Sequence, residues 1–311
     1  MSAIGIIGAG LMGMSVAERL RECGHRVHIR DIDAKREALG RSLGFVVHPT
    51  AASLAADCSV IIVLVLDAAQ VREVLYGGDG ASSHEPSQGA LLPVIGPEHR
   101  IIFCSTVSPQ EASFACHLIV QQNAIALDAP VSGGPARAAT GQISMMIAGP
   151  AASQASLAEL LRVLSNKIFF ISERYGDGAR AKLVNNLLAA INLVGGAEAM
   201  ALGEKLGLDP QTLLALIAES SGSSWMLAHR MPRALGMASG ITAQTHVLTK
   251  DVKLANLMAL EQGLSLPMGA VAAHQMQATC DEGWREADDS AVFHWYRKLF
   301  QTLNARFHMP T

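Results

Sequence analysis

The chain has 311 residues, half of them apolar, so it can bury a large core and exceeds the roughly 100 to 200 residues usual for one domain. A formal net charge of −3 with 16% charged residues supplies no basic field of the kind a phosphate backbone requires, which excludes nucleic acid as the expected partner. Cys23, Cys58, Cys104, Cys116 and Cys280 form no C-x-x-C pair and leave an odd one over, so reduced, packing thiols in a cytoplasmic protein are expected rather than a disulfide framework.

The first seventeen residues are uncharged, but four glycines interrupt them and a basic leader is missing, so a strand and a turn are expected there rather than a signal sequence. Ile4 to Ile7 is a short apolar run ending at glycine, and Met12 to Cys23 spaces Val16, Ala17 and Leu20 at helical intervals. Val27 to Ile29 makes a second strand after a helix stop at Gly24. Val60 to Leu66, with five β-branched residues in seven, reads as a buried parallel strand. That run is far below the roughly 20 residues needed to cross a bilayer, and no membrane is expected as a partner. Residues 77 to 97, rich in Gly, Ser and Pro, read as a surface loop. Further strands are expected at Ile101 to Cys104, Ala124 to Asp128, Ser144 to Ala148 and Ile168 to Ile171, and their alternation with helical segments argues a doubly wound parallel sheet. After about residue 175 the strand pattern stops. The remainder is helical, with breaks near Gly207 to Pro210, Ser220 to Ser224, Gly236 to Gly240 and Gly263 to Pro267.

Gly8-Ala9-Gly10-Leu11-Met12-Gly13 matches G-x-G-x-x-G directly after the first strand and at the opening of a helix. The first glycine permits a tight turn, the second a close backbone approach to a pyrophosphate, the third close packing of helix on sheet, while the helix N-terminus offers amides to the anion. Asp31 closes the second strand eighteen residues beyond Gly13, where a carboxylate accepts hydrogen bonds from the adenine ribose. A carboxylate there repels a 2′-phosphate, and its neighbour Ile32 is not a base, so NAD is expected and NADP is the lesser reading. Arg30 should face the opposite side of the strand. The expected architecture is α/β: residues 1–174 form a Rossmann-type dinucleotide-binding domain, and residues 175–311 an all-α domain for substrate and oligomerisation.

Gly176-x-Gly178-x-x-x-Lys182-x-x-Asn185-Asn186 opens the first long helix of that second domain. Lys182 and Asn186, four apart, project from one face. From Leu183 to Gly203 the only charged residue is Glu198, so the helix should be buried and a lysine at its start needs a reason. A lysine there could simply snorkel to solvent. Beside a dinucleotide, a partly desolvated lysine suits the general base that alcohol oxidation requires, with Asn186 holding the hydroxyl. Asp128 to Pro135 follows a strand, and Ser132, Gly133 and Gly134 can direct a hydroxyl and amides at a carboxylate, although on composition alone it is an ordinary turn. No metal enters this chemistry.

With these motifs in hand, the chain resembles the β-hydroxyacid dehydrogenase family over essentially its whole length, through Ile6 to Gly13, Asp128 to Gly134, Gly176 to Asn186, and Lys250-Asp251. The resemblance implies an NAD-dependent oxidoreductase acting on a small hydroxy acid, with Lys182 as catalytic acid or base, Asn186 assisting it, and Ser132, Gly133 and Gly134 binding substrate. It also implies Thr106 by the nicotinamide, Lys250 on the cofactor, and Leu66 at the end of its strand among the cofactor contacts. Ser223-Ser224-Trp225-Met226 followed by Arg230 resembles the threonate dehydrogenase branch, making Trp225 a substrate contact or a core residue. Asp67 stands where a proline often follows the Val60 to Leu66 strand. An imine reductase and a non-catalytic dinucleotide-binding protein are the alternatives, and Lys182 with Asn186 argues against both. The small residues around Gly195-Gly196 allow close helix approach, and a homo-oligomer is expected.

Overall fold

The computed structural model describes residues 3–78 and 85–307, with side chains to residue 302. It divides into two compact units, Met1–Lys182 and Leu183–Thr311.

The first unit is built on a nine-stranded sheet in the order β3-β2-β1-β4-β5-β6-β8-β7, with β9 added alongside β8. Its strands are β1 (Ala3–Ile7), β2 (Val27–Arg30), β3 (Val46–Val47), β4 (Cys58–Val63), β5 (Arg100–Phe103), β6 (Ile125–Asp128), β7 (Val131–Ser132), β8 (Ser144–Ala148) and β9 (Lys167–Ser172). All five β1 residues are buried, as a central parallel strand covered on both faces requires. The helices are α1 (Leu11–Glu22), α2 (Ala34–Ser42), α3 (Ala51–Asp57), α4 (Ala68–Tyr76), α5 (Pro109–Gln121), α6 (Pro135–Ala139) and α7 (Ala151–Leu164). α1 lays Met14, Val16, Ala17 and Leu20 on one apolar layer with Ile6 and Ile29, while Leu54 and Ala55 of α3 and Ala112, Cys116 and Ile119 of α5 pack in the other. The N-termini of α2, α3, α4 and α5 are each closed by a side chain, from Asp33, Thr50, Asp67 and Ser108, which satisfies amides the helix itself leaves unpaired.

Three details differ from the sequence expectation. The sheet is not wholly parallel: β8 runs antiparallel to β6 and β7, because the short Ala129-to-Gly141 excursion returns the chain without a crossover helix long enough to restore direction. β4 occupies 58–63, so Leu64 to Leu66 form the loop beyond its carboxyl end. Of the 77–97 segment, residues 79–84 lie outside those described, but Ala90, Leu91, Leu92 and Ile95 are buried. Leu91, Leu92 and Ile95 join the α3–α5 core layer, so this stretch contributes to the core although it lacks the period that would announce it.

α8 (Asp177–Lys205) opens at the end of the first unit and continues through the second, followed by α9 (Pro210–Ala218), α10 (Trp225–Ala234), α11 (Thr245–Glu261), α12 (Pro267–Thr279) and α13 (Val292–Phe307). Leu193, Val194, Ala197 and Met200 of α8 pack with Met226 and Leu227 of α10, Val252 of α11, Met276 of α12 and Phe293 and Tyr296 of α13. Among the described residues α8 is the helix whose length and composition would suffice to cross a bilayer, and 44% of its most apolar window is buried within the protein. Val184, Leu188 and Leu202 are more than half exposed, so the helix is not buried all round as its composition suggested.

Candidate active site

The strand order reverses between β1 and β4, and open α/β sheets take their ligands in the crevice at the carboxyl ends of such a pair. The Gly8 to Gly13 loop leaves β1 there. Gly8 has φ +97°, and a Cβ on it would lie 2.4 Å from the Leu64 carbonyl oxygen; a Cβ on Gly13 would lie 1.9 Å from the Gly8 carbonyl oxygen. Both positions are therefore closed to any side chain by the protein's own backbone. A Cβ on Gly10 would meet nothing within 4 Å, so the middle glycine opens onto free space at the N-terminus of α1, where a pyrophosphate can approach. These residues fit a dinucleotide.

Asp31 is brought onto this loop. Its Oδ2 accepts the Ala9 amide at 2.6 Å and its Oδ1 the Asp33 amide at 2.8 Å, which leaves each oxygen a further lone pair. Arg30 is engaged by Glu37 at 2.8 Å, and Ile32 is exposed. On the β4 side, the Leu66 amide donates to the Gln70 Oε1 and Asp67 caps α4 through the Gln70 amide, so the unexpected aspartate is a helix cap. Ser105, buried beside the partly buried Thr106, accepts the Val65 amide at 2.9 Å and ties the loops after β4 and β5 together.

Asp128 carries the link from the sheet to Lys182. It ends β6, is wholly buried, and its Oδ2 accepts the backbone amides of Gly176 (2.8 Å), Gly178 (3.0 Å) and Ala179 (3.3 Å). Burial pushes its carboxyl up to about 6 against the pull of those three amides. A Cβ on Gly178 would stand 2.8 Å from the Met146 carbonyl oxygen, so that glycine lets the helix start pass close to β8. Lys182 follows one turn later and is buried, with 7% of its surface exposed. The sequence placed Asp128 in a motif without a role; no local signal connects residues about fifty positions apart.

Ser132 ends β7, and Gly133 (φ +134°) and Gly134 (φ +81°) turn the chain into α6 in backbone conformations that L side chains rarely adopt.

In the second unit Asn186 and Lys250 meet through Asp251, which the sequence placed in a motif without a role. The buried Asp251 accepts the Asn186 Nδ2 at 2.6 Å and the Lys250 Nζ at 2.8 Å, while the Asn185 amide donates to the Asn186 Oδ1 at 3.0 Å. The carboxylate thus orients the Asn186 amide and neutralises Lys250. Trp225 belongs to a different cluster at the start of α10. It is 40% exposed, which corrects its reading as core, and its ring stacks on His229 with centroids 4.1 Å apart and lies under the Arg230 guanidinium. Arg230 in turn is held by the buried Asp289 at 2.6 Å.

Residues 3–172 match the family model described as the NAD binding domain of 6-phosphogluconate dehydrogenase, and residues 176–296 match that described as NAD-binding of NADP-dependent 3-hydroxyisobutyrate dehydrogenase. The chain is 35% identical to the L-threonate dehydrogenase of Cupriavidus necator, over 93% of this chain and 94% of that one. It is 33% identical to the 3-hydroxyisobutyrate dehydrogenase of Pseudomonas aeruginosa, over 96% and 99%. The crystal structure of a 3-hydroxyisobutyrate dehydrogenase from Salmonella typhimurium superposes with a TM-score of 0.83 at 27% identity, covering 95% of this chain and all of that one. A dinucleotide-binding sheet, a helical second part and matches of this extent agree: the chain belongs to the β-hydroxyacid dehydrogenase family and is an NAD(P)-dependent oxidoreductase acting on the CH–OH group of hydroxy acids.

Proposed function

We propose that this enzyme uses NAD to oxidise a small hydroxy acid, with a four-carbon polyhydroxy acid of the threonate type as first candidate and 3-hydroxyisobutyrate as the second, and that Lys182 is its general acid and base. The observation that carries the reading is the buried Lys182, which follows by one turn the start of a long apolar helix that Asp128 caps. Bound NAD supplies the acceptor for the hydride that leaves the carbinol carbon. As the hydride leaves, neutral Lys182 takes the hydroxyl proton at Nζ and the carbinol becomes a carbonyl; in reduction it returns that proton. Asn186, held by Asp251, orients the hydroxyl oxygen, and Ser132, Gly133 and Gly134 receive the carboxylate. Trp225, exposed and braced by His229 and Arg230, contacts the substrate.

Asp31 accepts the ribose hydroxyls and disfavours a 2′-phosphate, and the ion pair of Arg30 with Glu37 supports the same preference for NAD. Ala9, Leu11, Met12, Ile32, Leu66, Thr106 and Lys250 complete the cofactor contacts. In this reading residues 1–174 bind dinucleotide and residues 175–311 serve substrate and assembly. A homo-oligomer would cover Leu257, Leu260, Leu264 and Met268 of the second unit, all more than half exposed, since soluble monomers seldom leave so many large apolar side chains in water. Initial rates with NAD and NADP across a panel of hydroxy acids test the function. Threonate should give the highest kcat/KM with NAD, and a panel without any oxidised hydroxy acid overturns the proposal.

A further inference from the structure

Far from Lys182 in sequence, three ligand-type side chains converge on one point of the sheet edge formed by β2 and β3. His28 Nδ1 lies 2.8 Å from His48 Nε2, and the Asp57 Oδ2 lies 3.8 Å from the same His48 nitrogen. All three atoms fall within 4.8 Å of one another. The ring centroids are 5.0 Å apart, about the 2.8 Å gap plus the radius of each ring, and the rings are inclined by only 22°, so the two nitrogens face each other nearly in line.

The scaffold fixes two of the three donors. His28 sits within β2, in register with Gly5 of β1 on one side and Val46 of β3 on the other. His48 follows β3 directly, its amide bonded to the Ile29 carbonyl. Both rings are buried, whereas Asp57, at the end of α3, is 59% exposed and can swing. Without a metal the pair is held by a single shared N–H, and the His28 Nε2 is buried with no hydrogen-bond partner among the described residues.

We propose that His28, His48 and Asp57 form a binding site for one divalent ion of the zinc class, which replaces the proton between the two imidazoles and ties α3 to the β2–β3 edge. Two imidazoles and a carboxylate suit Zn2+, and Zn–N bonds of about 2.0–2.1 Å in a tetrahedron put the donors about 3.4 Å apart. The observed 2.8 and 3.8 Å bracket that edge, but the two nitrogens face each other in line, so binding requires the histidines to part by about half an ångström and each ring to turn by about 35° toward the ion, while the mobile carboxylate closes on both. The exposed side of Asp57 leaves the fourth position to water. Burial, reinforced by His48 and Arg26, already holds His28 below the usual histidine range and keeps it in the neutral form a metal needs. Coordination through Nδ1 requires the His28 proton at Nε2, where the described residues supply no acceptor, and Arg26 adds positive charge nearby; both limit the affinity. The site stands on β2, the strand that Asp31 directly follows, so occupancy would stiffen the ribose side of the cofactor loop without touching Lys182.

The test uses the full-length enzyme, dialysed against a chelator and titrated with Zn2+ by calorimetry and with Co2+ by visible absorption. Wild type should bind one equivalent with a rise in Tm and a Co2+ ligand-field band. His48→Gln should weaken binding by about 100-fold or more. The exposed Asp57→Asn keeps the fold testable should the buried substitution destabilise it, and should also weaken binding, by about tenfold. Absence of saturable one-equivalent binding in wild type, or equal binding by wild type and Asp57→Asn, overturns the proposal. The hydroxy-acid reading is unaffected by either result, since turnover is measured separately in the dialysed enzyme.

Discussion

Asn186 donates from its Nδ2 to the Asp251 carboxylate at 2.6 Å, so the amide assigned to the substrate hydroxyl is oriented by a residue sixty-five positions along the chain. The same carboxylate holds Lys250, and a single substitution there disturbs two groups at once. Asp251→Asn keeps the shape but removes the charge and turns an N–H toward one of the two donors. The unsatisfied buried donor should cost about 1–3 kcal/mol of stability, and because Asn186 loses its fixed orientation, kcat/KM should fall by about tenfold or more with the fold intact by circular dichroism. Unchanged kcat/KM would reduce Asp251 to a packing residue.

Lys182 carries the heaviest prediction. General acid or base catalysis by a positioned side chain contributes roughly a hundredfold to ten-thousandfold, and Lys182→Ala should lose about that much in kcat. Lys182→Arg keeps the positive charge but cannot release its proton near neutral pH, so it should rescue little. A folded, NAD-binding Lys182→Met enzyme with near-wild-type turnover would leave Lys182 structural.

Cofactor choice should turn on Asp31. Asp31→Ser with Ile32→Arg removes a repulsion of the 2′-phosphate and adds a base for it, moving preference toward NADP. Because Asp31 also holds the Ala9 amide, the double variant should lose some affinity for both cofactors, and the ratio of kcat/KM values is the quantity to read. A ratio unchanged or shifted further toward NAD contradicts this assignment.

Substrate anchoring at Ser132 to Gly134 is exposed to a steric test. Gly133 has φ +134°, and a Cβ there would lie 3.1 Å from Arg137 Cδ, so Gly133→Val both strains the turn and blocks the backbone approach. KM for the best hydroxy acid should rise steeply. A folded variant with its KM intact would place the carboxylate elsewhere.

Asp128 gives the protein a signature in its stability against pH. The folded chain holds this proton up to about 6, the unfolded chain only to 3.8. Between those values the folded state binds more protons, so the contribution of this group is fully present below 3.8 and is lost as pH rises through about 6. Asp128→Asn lacks the titration. Urea midpoints of the two proteins should therefore show the wild type losing stability relative to the variant as pH rises through that window, and a constant difference would mean that the carboxylate is already ionised.

The cofactor half was legible in the chain because its signals are local. A strand period, three glycines at set spacing and an acid after the next strand all act over about thirty residues, and the structure shows Gly8 and Gly13 enforced by backbone contacts that no side chain survives. Lys182 and Asn186 stand out in the sequence for a related reason, as polar residues on an otherwise apolar helix, and the structure buries both.

What the tertiary structure alone decided are the pairings across long separations. Asp128 on the α8 amides, Asp251 on Asn186, Arg230 on Asp289 and His28 facing His48 each join residues that share no local pattern. The antiparallel turn of β8 and the burial of Leu91, Leu92 and Ile95 in a Pro- and Gly-rich stretch belong with them. Periodicity reports which face of an element is apolar, but it carries no information on which other element will cover that face. Partner choice is set by packing and by the need to satisfy each buried polar group, and those conditions are met only when the whole chain has closed.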